Sequence, residues 1–201
     1  MATRILLIRH GQTAWSLSGQ HTGRTDIALT EHGEQSAVQL SVALKSFEVE
    51  HILFSPLQRT KRTCELAGFG DRAHVEGDLR EWDYGDYESW TTAEILQKRP
   101  GWNIFEDGCP HGESVDQISL RADRLLERTR RMDNVVALFS HGHFLRALGM
   151  RWINLPVREG RHFVLDTASL SILSYEHSDA APPVISLWNA TLGSEPILVL
   201  G

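Results

Sequence analysis

Residues 5–11 of the chain read Ile-Leu-Leu-Ile-Arg-His-Gly, and this stretch decides the fold. Four consecutive apolar residues are typical of a short buried strand and are too few for a helix of their own. The strand ends in a cation and an imidazole, so it places both at its C-terminal edge, where open α/β sheets bind ligands. A second apolar run, residues 135–139, is followed by Ser-His-Gly-His at residues 140–143. The sequence therefore predicts that His10 and His141 meet at one edge of a sheet.

Signals for helices and strands alternate along the chain between these two runs. Thr30 is a good N-cap for a helix whose apolar residues recur at helical spacing. Residues 51–54 form another short apolar run and predict a second strand. Ser55-Pro56 is expected to open the helix that carries Arg59, with the proline at its first position.

The second half of the chain continues the alternation. Capping boxes at Thr91 and Ser114 predict the starts of two more helices. Residues 170–175 alternate as a late strand, and residues 184–188 are a candidate for an antiparallel strand at an edge. This order of elements predicts an α/β fold, a three-layer sandwich around a mostly parallel sheet.

The length of the chain bounds its domain organisation. With 201 residues it can bury one full core, so we interpret residues 1–201 as a single domain. Residues 70–112 are too long for a simple connection between two elements. We expect this segment to be a lid-like insertion over the active edge of the sheet.

Composition excludes several classes of partner. The net charge is −6, which gives no global basic field to attract nucleic acid or an anionic membrane. No apolar run approaches the ~18 residues of a membrane span, and the first strand begins too near Met1 for a signal peptide. Two cysteines do not make a disulfide framework. We therefore expect a cytoplasmic protein that binds a small molecule; the sequence gives no indication of its oligomeric state.

The polar residues near the predicted strand ends suit a phosphate. Arg9 and Arg59 offer planar donors to phosphate oxygens, and a neutral imidazole of His10 or His141 can attack phosphorus. A carboxyl group can protonate the leaving oxygen and then activate water. Residues 81–88 supply four acidic candidates, and the residues alone do not choose among them: Glu81, Asp83, Asp86 and Glu88.

A metal site is the alternative use of the second motif. His141 and His143 form an H-x-H pair that could bind a metal ion. Alternation along an extended chain would point the two rings to opposite faces, and no cluster of aspartates follows them. We therefore expect a metal-independent site with no cofactor.

Four motifs, in order along nearly the whole chain, resemble those of the histidine phosphatase superfamily, which includes the cofactor-dependent phosphoglycerate mutases. They are Arg9-His10-Gly11-x-Thr13, Arg59 within residues 55–60, Glu81 within residues 79–88, and Ser140-His141-Gly142.

The resemblance implies a phosphoglycerate mutase-like fold and a phosphoric monoester hydrolase. It implies that His10 is the nucleophile that becomes phosphohistidine, and that Glu81 is the general acid and then the general base. Arg9, Arg59 and His141 would surround the transferred phosphoryl group and stabilise its charge.

A narrower resemblance points to the sedoheptulose-1,7-bisphosphatase branch of the superfamily. It is carried by residues 11–23, 80–88 and 102–109. The mutases usually have Asn where this chain has Ser16, and Gly-Arg where it has Gly19-Gln20, which disfavours mutase activity. We expect a phosphatase that acts on a small sugar bisphosphate. A broad-specificity acid-type phosphatase and a phosphoglycerate mutase are the alternatives, and a module that has lost catalysis is disfavoured because every chemical role has a candidate.

The candidate substrate-binding residues come from these motifs and from spare cations and rings nearby. They are Thr13, Ser16, Thr22, Gly23, Tyr84, Gly142, Arg24, Arg146 and His177. Three of them, Arg24, Arg146 and His177, are candidates for holding a second phosphate group.

Overall fold

The computed structural model describes residues 3–178 and 180–191. The strands in these residues are β1 (Arg4–Arg9), β2 (Val49–Phe54), β3 (His74–Val75), β4 (Val135–Ser140), β5 (Ser169–Tyr175) and β6 (Pro183–Thr191). The α-helices are α1 (Ala14–Ser18), α2 (Glu31–Leu44), α3 (Gln58–Leu66), α4 (Thr92–Lys98), α5 (Ile104–Asp107), α6 (Val115–Thr129) and α7 (Gly142–Trp152). Within the described residues, no helix has the length and apolar character that crossing a membrane requires.

The six strands form one sheet in the order β3-β2-β4-β1-β5-β6. The first four strands of that order are parallel, whereas β5 and β6 run antiparallel at one side. The antiparallel edge strand expected at residues 184–188 is confirmed by β6, whereas the antiparallel direction of β5 was not predicted. The register pairs Arg9 with Ser140, and Phe54 with Phe139. Three parallel strands thus end side by side, and the residues that follow them meet at one edge. The predicted α/β sandwich with a mostly parallel sheet is confirmed.

Helices cover both faces of the sheet, which explains why the four central residues of β1, Ile5 to Ile8, are all apolar. Ile5 and Leu7 pack into a core with α6 and α7, whereas Leu6 and Ile8 pack into a second core with α2. All four side chains are fully buried. A strand covered on both faces reads as a continuous apolar run, which is the pattern that indicated it in the sequence.

The predicted helix caps are confirmed. The side chains of Thr30, Thr91 and Ser114 accept backbone N–H groups in the first turns of α2, α4 and α6. The start of α3 differs from the prediction, since the helix begins at Gln58 and not at Pro56. Asp26, from a distant loop, accepts the Gln58 N–H and caps this helix from outside, which no local pattern could indicate.

The segment from residue 70 to 112 is a packed wall with little regular structure. It contains β3, α4, α5 and three short 3-10 turns, and its side chains Trp82, Tyr84 and Phe105 join the core that includes Ile5. Two backbone segments of the wall, at Gly85 and Pro110, are in direct contact, so a Cβ at Gly85 would overlap the carbonyl of Pro110. Gly85 also has φ +50°, which favours glycine. These contacts fix the wall against the sheet edge.

Candidate active site

His10 follows β1 directly and is held as a neutral ring. Its Nδ1 lies 2.7 Å from the carbonyl oxygen of Gly11. A carbonyl oxygen only accepts, so Nδ1 carries the proton and Nε2 keeps a free lone pair. Burial, and then the nearby Arg59 and Arg9, hold the pKa of His10 well below its usual value. An uncharged imidazole with a free lone pair can act as a nucleophile.

The turn after His10 is fixed by contact between two glycines. A Cβ at Gly11 would overlap the carbonyl of Gly33 in the first turn of α2, and a Cβ at Gly33 would overlap the carbonyl of Gln12. The Gly11 N–H also donates to Thr63 Oγ1, at 3.0 Å. Backbone packs directly on backbone here, so α2 and α3 together set the position of the His10 turn.

His141 lies beside His10 at the end of the neighbouring strand. The two ring centroids are 5.1 Å apart, which confirms that the two motifs meet. Arg59 Nε donates to His141 Nδ1 at 3.2 Å. The proton of His141 is therefore on Nε2, which donates to Ser55 Oγ at 2.8 Å. Burial, and then Arg59, lower the pKa of His141 well below its usual value. Both ring nitrogens are engaged, so the orientation of the ring is fixed.

Arg59 is fully buried in the first turn of α3. Its guanidinium donates to the carbonyl oxygens of Thr22, Gly23 and Thr25 at 2.9–3.1 Å. The same loop is held on its other side by Glu88, whose carboxylate accepts the N–H groups of Gly23 and Thr25 at 3.0 Å. Glu88 thus positions the loop that positions Arg59.

Arg9 keeps a free donor at the site. Its Nη1 donates to the carbonyl of Leu165, whereas its buried Nε has no acceptor among the described residues. A Cβ at Gly142 would lie 3.2 Å from Arg9 Cζ, so a glycine there lets the guanidinium pack against α7. Burial lowers the pKa of Arg9, but guanidinium remains charged in proteins. Because Nε is sealed from the cavity, the donor left for an anionic oxygen is Nη2, which has no acceptor among the described residues.

Glu81 is bound to the N-terminus of α7, the helix that His141 caps. Its carboxylate accepts the N–H groups of Phe144 and His143 at 2.8 and 3.0 Å, and that of Trp82 at 2.9 Å. A helix N-terminus is a favourable place for a carboxylate. Glu81 and His141 are therefore both held at the first turn of α7.

The structure separates Glu81 from its three acidic rivals. Glu81 lines the cavity that contains His10, and the other three do not. Asp83 pairs with Arg24 at 2.5 Å, and Asp86 pairs with the exposed His111 at 2.9 Å. Glu88 holds the loop described above. Among the four candidate acids, position in the fold thus favours Glu81.

A cavity of about 250 Å³ opens above His10. Nine of the residues identified from the sequence line it, namely Arg9, His10, Thr13, Ser16, Thr22, Glu81, Tyr84, Gly142 and Arg146. Arg59 and His141 lie fully buried beneath them. We call Arg9, His10, Arg59 and His141 the floor of the site.

Sequence reasoning missed several residues of this cavity. These are Gly19, Gln20, His21, Thr92, His143 and Leu165. His21 stacks on Tyr84 with ring centroids 4.7 Å apart, and His143 had been weighed only as a metal ligand. We call the side chains around the mouth of the cavity the rim: Ser16, Gln20, His21, Tyr84, Thr92, His143 and Arg146.

Three predicted substrate-binding residues lie outside the cavity. Arg24 is exposed and faces a separate cavity with Gly23. His177 lies beyond the end of β5, and since β5 is antiparallel to β1, this places His177 at the opposite edge of the sheet. The prediction that His177 binds the same ligand as His10 is wrong, because the direction of β5 cannot be read from its local pattern.

The H-x-H pair does not converge on one point. His141 bonds to Arg59 and Ser55, whereas His143 Nδ1 lies 2.6 Å from the hydroxyl of Tyr84. Within residues 3–178 and 180–191, no group of three or more His, Cys, Asp or Glu side chains is arranged to hold a metal ion.

Comparisons with known proteins agree with this geometry. The family described as the histidine phosphatase superfamily (branch 1) matches residues 5–191. An acid phosphatase of Mycobacterium tuberculosis is 43% identical over 92% of each chain, and a sedoheptulose 1,7-bisphosphatase of Saccharomyces cerevisiae is 31% identical over 93% of each chain. The solved structure of the open reading frame Rv3214 from Mycobacterium tuberculosis has a TM-score of 0.89 and 40% identity, and covers 94% of this chain and 98% of that one.

Proposed function

Since the chain belongs to the histidine phosphatase superfamily and is a phosphoric monoester hydrolase, we propose that it hydrolyses a small sugar bisphosphate through a phosphohistidine on His10. The observation that carries the proposal is the hydrogen bond from His10 Nδ1 to Gly11. It leaves the Nε2 lone pair free beside two buried guanidinium groups. These are the nucleophile and the charges that phosphoryl transfer requires.

In the first step, His10 Nε2 attacks phosphorus and the bond from phosphorus to the ester oxygen breaks. Glu81 gives its proton to the leaving oxygen, so an alcohol departs and a phosphohistidine remains. In the second step, Glu81 takes a proton from water as the water oxygen attacks phosphorus. The bond to Nε2 breaks, and inorganic phosphate and neutral His10 are restored.

Arginines neutralise the phosphoryl charge in this proposal, without a metal ion or cofactor. Arg9 lines the cavity and has Nη2 without an acceptor among the described residues, and Arg59 is hydrogen-bonded to His141 beneath it. Preorganised donors in a buried site stabilise developing charge more than the same donors in water. Activity should therefore survive exhaustive dialysis against a chelator.

The choice of a bisphosphate is supported by one rim residue and one relative. Arg146 lines the cavity, and burial lowers its pKa to about 10, so it stays protonated at neutral pH. It is the one of the three spare cations that the structure brings to His10. The yeast relative is named a sedoheptulose 1,7-bisphosphatase, and we propose that sugar first and fructose-1,6-bisphosphate second.

A test is phosphate release from a panel of esters in the presence of chelator. The panel contains both bisphosphates, their monophosphates, p-nitrophenyl phosphate and 3-phosphoglycerate. We expect about a ten- to hundredfold higher kcat/KM for bisphosphates, the scale of one charge-assisted contact. Arg146→Met should remove this preference, whereas Arg24→Met, at an exposed position outside the cavity, should keep it.

Two results would replace this proposal. Equal kcat/KM for bisphosphate and monophosphate would favour a broad-specificity acid-type phosphatase; the Mycobacterium tuberculosis relative is named an acid phosphatase. A strong preference for 3-phosphoglycerate with little release of phosphate would favour a mutase.

A further inference from the structure

His143 is a rim residue whose own backbone is hydrogen-bonded to Glu81, the proposed acid. It is the second residue of α7, and its own backbone N–H donates to Glu81 Oε2 at 3.0 Å. Its ring lines the catalytic cavity and also a smaller adjoining chamber of about 120 Å³. The ring therefore lies where the two cavities adjoin.

The hydroxyl of Tyr84 sets the tautomer of this ring. The distance from Tyr84 Oη to His143 Nδ1 is 2.6 Å. Burial raises the pKa of Tyr84 well above its usual value, so the phenol keeps its proton. Among the described residues His143 Nδ1 is the hydrogen-bond partner of Tyr84 Oη, so this buried O–H has an acceptor only when it donates to Nδ1. Burial, followed by Arg146, lowers the pKa of His143 well below its usual value, so the ring is neutral. The single ring proton is therefore on Nε2.

This Nε2–H has no acceptor among the described residues. The ring is only half-buried, and Nε2 is not one of the sealed polar atoms that lack a partner. The rings of Phe105, His21 and Tyr84 pack around it with centroids 5.4, 5.7 and 5.8 Å away, and no hydrogen bond joins any of these described rings to Nε2. One neutral N–H donor thus faces the cavity beside the acid.

We infer that His143 donates a hydrogen bond from Nε2 to a hydroxyl of the substrate on the carbon next to the phosphoester, and so selects hydroxylated phosphates over alkyl phosphates. The inference rests on the proposed phosphatase function and adds a specificity-determining residue to it. An alkyl chain at the same place would leave the donor without a partner, and a site built around such a donor rejects the analogue that lacks the oxygen.

The test compares glycerol 1-phosphate with propyl phosphate, which have the same carbon chain and differ only in hydroxyls. In His143→Asn, the amide can still meet Tyr84 but cannot reach the position of Nε2. In His143→Gln, the amide nitrogen reaches that position. We expect the ratio of the two kcat/KM values to fall about three- to tenfold in His143→Asn, the scale of one neutral hydrogen bond, and to stay near native in His143→Gln.

Because both substrates are measured on one preparation, the ratio does not depend on the folded fraction of a variant. His177→Asn, at the opposite edge of the sheet, is the matched control and should keep the native ratio. An unchanged ratio in His143→Asn, or an equal fall in both variants, would overturn the inference while phosphate release still supported the phosphatase. Failure of the native protein to release phosphate from either ester or from p-nitrophenyl phosphate would instead overturn the proposed function.

Discussion

The floor and the rim of the site are built in different ways. Three floor side chains, those of Arg9, His10 and His141, come from a strand end or the residue after it, whereas Arg59 comes from the first turn of α3. Each of the four bonds to a backbone carbonyl or to another floor residue. The rim instead collects side chains from α1, the loop after it, the wall and α7. The sheet therefore fixes the groups that handle phosphate, and segments outside the sheet meet the remainder of the substrate. Substitutions in the floor should slow every substrate, whereas those in the rim should change the choice among substrates.

The largest effect should come from the nucleophile in the floor. His10→Ala should lower kcat on the order of 10⁶-fold for every ester, the scale of removing a covalent nucleophile. Rapid quench with labelled substrate should trap an acid-labile, base-stable phosphoryl group on the native protein and none on the variant. Full labelling of His10→Ala at another residue would refute the assignment. His177→Ala is a control at the opposite edge of the sheet.

The next largest effect should come from Glu81, where floor and rim meet. Glu81→Gln removes the proton that the leaving oxygen needs, so alkyl phosphates should slow about 10²- to 10⁴-fold. p-Nitrophenyl phosphate should slow far less, because its leaving group needs little protonation. Asp86→Asn, which changes an exposed carboxylate in the same wall, is the matched control. Equal slowing of both substrates would move the acid role to another group.

Glu88 gives a sharper test, because it lies in the wall but acts on the floor. Glu88→Gln keeps the shape and removes the charge that holds the loop around Arg59. We expect kcat to fall about tenfold to a hundredfold by the same factor for sugar and aryl phosphates, the scale of a charge-assisted hydrogen bond. A loss of stability with unchanged kcat would mean that the loop supports the fold alone.

The smallest effect should be a pH dependence of stability that originates in the rim. Burial lowers the pKa of His21 from 6.5 to about 4. As the pH falls, the unfolded chain therefore binds this proton before the folded protein does. The contribution of neutral His21 to the free energy of unfolding is present above pH 6.5 and is lost as the pH falls towards 4. Between pH 7 and pH 5, the free energy of unfolding measured in urea should fall by about 1–2 kcal/mol less in His21→Gln than in the native protein. A pH dependence of stability in His21→Gln identical to that of the native protein would contradict the prediction.

The same contrast explains what the sequence could predict. His10 and His141 follow apolar strands directly, so a local pattern places them at the sheet edge without knowledge of the remaining chain. Selecting Glu81 from four acids required the family resemblance, because position in a wall of irregular structure is set by distant contacts. His21 and Thr92 gave no local signal, since they meet only where the loop after α1 lies against the start of α4. The direction of β5 depends likewise on its pairing with other strands and not on its own residues, which is why His177 was predicted at the wrong edge of the sheet.

The backbone contact between Gly11 and Gly33 has a consequence for how the protein tolerates variation. Gly33 belongs to α2 and touches no part of the cavity, yet any side chain there would push on the turn that carries His10. In a scan of all single substitutions, Gly33 would therefore score like an active-site residue. The two glycines would also show strong epistasis, because a larger residue at either position removes the space the other needs. A map of intolerant positions drawn without the structure would place the active site partly on the wrong helix.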